Sequence, residues 1–86
     1  MIKVIKFYAN WCGPCRVYAK TFDKVSEELK DEVEFVNVNV ENDTTGLAGE
    51  YKVTGIPMTV VIREDDVVKR TGRLDEATLK ALILGE

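Results

Sequence analysis

The chain has 86 residues, of which 45% are hydrophobic and 31% charged: enough apolar side chain for one small core, and too much for a disordered segment. Its net charge of −3, with the two signs interleaved, offers no basic stripe to nucleic acid, and no apolar run is long enough to span a bilayer. Two cysteines are too few for a disulfide scaffold, and the absence of histidine removes imidazole-assisted nucleophiles and most zinc or iron sites.

The opening Met1-Ile2-Lys3-Val4-Ile5-Lys6 alternates apolar and cationic residues in place of a signal-peptide core. A cytoplasmic chain is therefore expected, where a lone cysteine pair is more often catalytic or metal-binding than a static staple. Ile2 to Phe7, rich in β-branched residues and bounded by the turn chemistry of Asn10 to Pro14, reads as a strand. After Pro14 the period changes: Tyr18, Phe22, Val25 and Leu29 fall on one face of a helix, with Pro14 in its first turn where no hydrogen bond is lost. Glu34 to Val40 alternates strictly and reads as a second strand. Asn42-Asp43-Thr44-Thr45 supplies N-cap chemistry for a short helix holding Leu47, Ala48 and Tyr51. Met58 to Ile62 and Val67 to Thr71, joined through Glu64-Asp65-Asp66, predict a hairpin with a solvated acidic tip. Gly72 ends it, and Asp75 caps a last helix with Leu74, Leu79, Leu82 and Ile83 as its buried stripe.

The order β-α-β-α-β-β-α predicts one α/β domain over residues 1–86, with a parallel first pair of strands and an antiparallel last pair. A four-stranded mixed sheet with helices on both faces accounts for every apolar stripe.

Both cysteines stand in Trp11-Cys12-Gly13-Pro14-Cys15, at the junction of the first strand and first helix. Residues three apart on a helix share a face, so the two sulfurs can reach disulfide separation. Cys12 falls before the first full turn, where unpaired N–H groups and the positive helix end favour a thiolate, the attacking species. Cys15 lies one turn deeper and is expected to be the less exposed. This assigns Cys12 as nucleophile on a substrate disulfide and Cys15 as the resolving thiol.

Trp11-Cys12-Gly13-Pro14-Cys15 followed by Gly55-Ile56-Pro57 resembles the thioredoxin family, and the similarity runs from Ile2 to the last helix. Val38-Asn39-Val40-Glu41 and Gly72 resemble further family positions. The resemblance implies a minimal thioredoxin fold, since the strand and helix that usually precede the first strand here are missing. It implies a protein-disulfide reductase without cofactor, acting as a monomer on disulfide-containing client proteins and recycled by a thioredoxin-reductase-type or other dithiol donor. It also implies a cis Pro57 beside the dithiol, a backbone at Ile56 that pairs with extended substrate, and a flat surface of Trp11, Gly13, Pro14, Ile56, Pro57, Gly72 and Arg73.

The chain departs from the family at Lys6, where a buried aspartate is usual, and at Asn37, where the aspartate's lysine partner is usual. Two readings of Lys6 stand: its stem lies along the sheet with the ammonium reaching water, or the ammonium sits beneath the dithiol and favours thiolates. Tyr8, Tyr18 and Phe22 read as core, and Arg16 as a solvated or partner-steering cation. Three other functions compete with protein-disulfide reduction: a glutathione-linked, glutaredoxin-like reductase; a binding subunit using the same surface with the dithiol idle; and a zinc site, for which the chain has no histidine to complete the set.

Overall fold

Alternation of apolar residues at period two and then at period three to four divides this chain into strands and helices, and the computed structural model follows that division. It describes residues 2–85; Met1 and Glu86, the ends of the expected domain, lie outside them. The elements are β1 (Ile2–Tyr8), α1 (Gly13–Leu29), β2 (Val33–Asn39), α2 (Leu47–Glu50), β3 (Met58–Ile62), β4 (Val67–Thr71) and α3 (Glu76–Leu84). They form the expected four-stranded mixed sheet, in the order β2-β1-β3-β4. β1 runs parallel to β2 with Lys6 opposite Asn37, and antiparallel to β3 with Lys6 opposite Thr59. β3 and β4 are the expected antiparallel pair.

Alternate side chains of β1 point to opposite faces and define two cores. Val4 packs with Tyr18, Phe22 and Val25 of α1, Val61 of β3, and Leu79 and Ile83 of α3. Ile5 and Phe7 pack on the other face with Val38, Met58 and Val60, covered by Leu47 and Ala48 of α2. Helices therefore lie on both faces. Phe22 centres the first core, edge-on to Phe35 with ring centroids 5.5 Å apart and tilted against Tyr18 at 5.9 Å. Tyr18 and Thr59, both fully buried, are joined by a hydrogen bond of 2.6 Å that ties α1 to β3. On the surface, Lys24 and Lys80 bridge Glu76, and Lys80 also reaches Glu28, linking α1 to α3. Such solvent-screened pairs add little, so Leu79 and Ile83 do most to hold α3 on the sheet.

The boundaries differ from expectation in places, each for a local reason. β1 extends one residue further, to Tyr8. β2 covers Val33–Asn39, and Val40 belongs to a 3₁₀ turn, Val40–Asn42, because the Asn39 side-chain oxygen accepts the Glu41 N–H at 3.0 Å and bends the chain out of the sheet. The cap of α2 is distributed. Asp43 accepts N–H groups from Thr45 at 2.8 Å and Ala48 at 2.9 Å, and Thr45 accepts that of Leu47 at 3.1 Å, while Gly46 occupies the N-cap position with φ +78°. Hydrogen bonding, first from the Thr45 hydroxyl and then from Ala48, holds the Asp43 carboxyl below its ordinary pKa. Asp75 caps α3 as expected, accepting the Thr78 N–H at 2.7 Å. The hairpin tip is not simply solvated. Arg63 grips Asp66 through two hydrogen bonds of 2.9 Å and also donates to the Leu82 carbonyl near the end of α3.

Candidate active site

β1 ends at Tyr8, the chain turns through Ala9 to Trp11, and α1 begins at Gly13. Cys12 is the N-cap residue of α1, with extended backbone at φ −82° and ψ 109°, and Pro14 occupies the first turn. The Cys12 Sγ accepts the Cys15 N–H at 3.2 Å, as the oxygen of a capping serine or aspartate would. No acidic residue stands in the first turn of α1, so no carboxylate of that turn offsets the positive helix end at this sulfur. Cys12 and Cys15 are joined as a disulfide with their Cα atoms 5.2 Å apart. They are 5% and 3% exposed, respectively, so burial does not divide their roles; position on the helix does.

Around the pair, Ala9 is buried against both cysteines, with Tyr8, Val40 and Ile56 packed beside them. The Ile56–Pro57 peptide bond is cis and leads into β3. Pro57 is fully buried, and its carbonyl accepts the Gly72 N–H at 2.8 Å, which joins the Ile56-Pro57 loop to the end of β4. Gly72 has φ +100°, a backbone that residues with a side chain rarely adopt. Gly55 is tightly placed for a different reason, since a Cβ there would come within 3.2 Å of the Thr71 methyl.

Five of the residues singled out from the sequence, Trp11, Ile56, Arg73, Lys6 and Cys15, line three separate hollows. Trp11, 66% exposed, shares an apolar groove with Ile56, Gly55, Val53, Val40 and Ala48. Arg73 lines a separate hollow with Val17, Tyr18 and Leu74, apart from that groove. Lys6 and Cys15 line a third, of about 380 Å³, with Tyr8, Asn10, Arg16 and Asp23 among its walls. Gly13 begins α1 and faces open space.

Lys6 is 5% exposed, and its Nζ lies over the rings of Phe22 and Tyr8, 5.0 Å and 5.3 Å from their centroids. Burial lowers its pKa and the charge of Asp23 partly opposes that. Little of Lys6 reaches water, unlike the first reading, and it shares with Cys15 the lining of one hollow. Tyr8, read as core, is half-buried and walls this hollow. Arg16, read as a free or steering cation, donates from Nε and Nη2 to the Asn10 carbonyl at 3.1 and 3.0 Å and braces the turn before Cys12. The sequence assigns no site role to Asp23, Val40 or Ala9. Asp23 lies about two helical turns beyond the motif, and only the packing of α1 over β1 brings it to Lys6.

Among the described residues, no group of three His, Cys, Asp or Glu side chains is placed to hold a metal ion, and no helix is long and apolar enough to cross a membrane.

Comparison with known proteins joins these features to a family. The family model described as Thioredoxin matches residues 1–84. A thioredoxin of Mycoplasmoides gallisepticum is 35% identical over 81 residues, covering 93% of this chain and 79% of that protein. The mitochondrial thioredoxin of Mus musculus is 36% identical over 81 residues and covers 93% of this chain, which spans 48% of that protein's length. The X-ray structure of Fasciola hepatica thioredoxin superposes with a TM-score of 0.84 at 34% identity, covering 98% of this chain and 79% of that one. With its mixed sheet, its helix-capping cysteine pair and its cis proline loop, the chain belongs to the thioredoxin family.

Proposed function

We propose that this chain reduces disulfides in client proteins by dithiol–disulfide exchange, with Cys12 as nucleophile and Cys15 as resolving thiol. The observation that carries the reading is the Cys12 sulfur at the N-cap of α1, accepting a backbone N–H that favours its anion once the disulfide is reduced. In the reduced chain the Cys12 thiolate attacks a client disulfide, forming a mixed disulfide and releasing one client thiolate, which takes up a proton. Cys15 then attacks the Cys12 sulfur, forming the intramolecular disulfide and expelling the second client thiolate. The client gains two electrons and the dithiol loses two; a reductase or small dithiol returns them.

Trp11, Ile56, Pro57 and Gly72 are the proposed client-binding residues, with Arg73 at the periphery and Gly13 and Pro14 keeping the helix start open. The exposed indole and the adjoining groove support a client segment docking across Trp11 and Ile56. The interleaved charge of the chain supports protein clients over nucleic acid or membrane, and the proposed working form is a single chain in the cytoplasm.

Insulin disulfide reduction, run in parallel with a thioredoxin-reductase system and with glutathione, tests the assignment. Turnover with the reductase, its loss in Cys12→Ser and a trapped mixed disulfide in Cys15→Ser support it. Turnover with glutathione alone favours the glutaredoxin-like alternative, and no turnover with either donor overturns catalysis in favour of a binding role.

A further inference from the structure

The resolving thiol stands in surroundings that oppose its own chemistry. Cys15 is 3% exposed in a buried cluster with Ala9 and Cys12, against which Tyr8, Val40 and Ile56 pack, and burial in apolar surroundings raises a thiol's pKa. To attack the mixed disulfide it must first become a thiolate. Cys12 meets the same burial with the electropositive helix end beside it, whereas Cys15 lies inside the first turn and its N–H is given to Cys12.

The hollow on the Cys15 side supplies a compensating charge. Its lining includes Cys15 and Lys6 but not Cys12. The ion pairs among the described residues join Lys24 and Lys80 to Glu76, Lys80 to Glu28, Lys30 to Glu27 and Arg63 to Asp66, and leave Lys6 out. The groups that face Lys6 are Asp23 and Arg16 from α1, Tyr8 on its own strand, Asn37 from β2 and Thr59 from β3, with Tyr18 bonded to that threonine. Of these, Asp23 is exposed to water, and Arg16 is exposed and turned onto the Asn10 carbonyl. The buried charge in this set is the Lys6 ammonium.

We propose that Lys6 is a positioning residue for the second step of exchange, holding the Cys15 sulfur as a thiolate through the hollow they share, and that it acts on Cys15 more strongly than on Cys12. The inference rests on the disulfide-exchange reading above. In the mixed disulfide, the Cys15 thiol gives its proton to water in the hollow, and the ammonium stabilises the resulting anion. The anion attacks the Cys12 sulfur, the Cys12–Cys15 bond forms, and the bond from Cys12 to the client breaks. The electron pair leaves on the client sulfur, which takes a proton from solvent.

The test titrates one thiol at a time. In a Cys12→Ser background the Cys15 thiolate is followed by its ultraviolet absorbance against pH, with Lys6 intact, Lys6→Met, Lys6→Gln and Lys6→Arg. Both neutral variants are expected to lower the thiolate fraction about tenfold at a fixed pH below the pKa, and Lys6→Arg to keep it within about threefold. In a Cys15→Ser background, the same substitutions are expected to move Cys12 by a smaller factor. Single-turnover release of client from a preformed Cys12 mixed disulfide should slow about tenfold at neutral pH in Lys6→Gln and recover as pH rises. A role confined to packing would not give that pH dependence. An unchanged Cys15 titration in both neutral variants, or an equal change at Cys12, overturns the proposal. Should the Cys15 shift be found while the wild-type chain fails to reduce insulin, the client assignment falls and the coupling stands.

Discussion

The hydrogen bond between Tyr18 and Thr59 is the point at which the dithiol helix is fastened to the sheet, and its removal has a calculable cost. Tyr18 lies less than one turn beyond Cys15 on α1, Thr59 lies on β3, and both side chains are closed to water. Tyr18→Phe leaves the Thr59 hydroxyl buried without a partner, and Thr59→Val does the same to the phenol; each is expected to cost about 1–3 kcal/mol. The double variant removes both polar groups and keeps the shape, so its cost should fall well below the sum, with a coupling energy of about 1–2 kcal/mol. In urea, where a domain of this size has a slope near 1 kcal/mol/M, each single substitution should lower the midpoint by about 1–3 M. The phenol's titration is a second readout. Burial raises the Tyr18 pKa and the Thr59 bond partly lowers it, so Thr59→Val should raise it further. Single costs that simply add, within about 0.5 kcal/mol, would refute the reasoning, because independent groups have no shared bond to lose.

Three further outcomes are expected. Lys6→Met should stabilise the chain at neutral pH, because burial lowers the Lys6 pKa and the folded state bears the cost of its charge. That cost is fully present below the folded pKa and disappears as pH rises toward the ordinary lysine value, so thermal melts of the two proteins should converge above about pH 10.5. Trp11→Ala should change stability by no more than about 0.5 kcal/mol, since the indole is largely exposed, yet lower kcat/KM for a protein disulfide about tenfold. Gly72→Ala should cost about 1–3 kcal/mol in chemical denaturation, all of it backbone strain at φ +100°, because a Cβ there would touch nothing within 4 Å.

What the sequence made legible was whatever depends on near neighbours. The period of Tyr18, Phe22 and Val25, the cap at Asp75 and the motif at Cys12 each lie within a turn or two of the residues they act on, and the elements formed as read. The misread boundary at Val40 was also local. The Asn39 oxygen competes for a backbone N–H and ends a strand that valine at that position favours. Less legible were groupings assembled by topology. Tyr18 and Thr59 are 41 positions apart. The hollow containing Lys6, Asp23 and Cys15 exists only once α1 crosses β1. Arg63, in the run leading to an acidic tip, reaches across to the Leu82 carbonyl of α3. The separation of Arg73 from the Trp11 groove likewise follows from α3 packing on the opposite side of the sheet from α2.

Alkylation of the reduced chain with iodoacetamide across pH, with mass spectrometry locating the label, tests most directly whether the helix start activates one sulfur. Cys12 is expected to react first, with an apparent pKa below the ordinary cysteine value of about 8.5, while Cys15 remains largely unlabelled. Labelling of Cys15 ahead of Cys12, or a Cys12 profile that titrates at or above that value, would contradict the account.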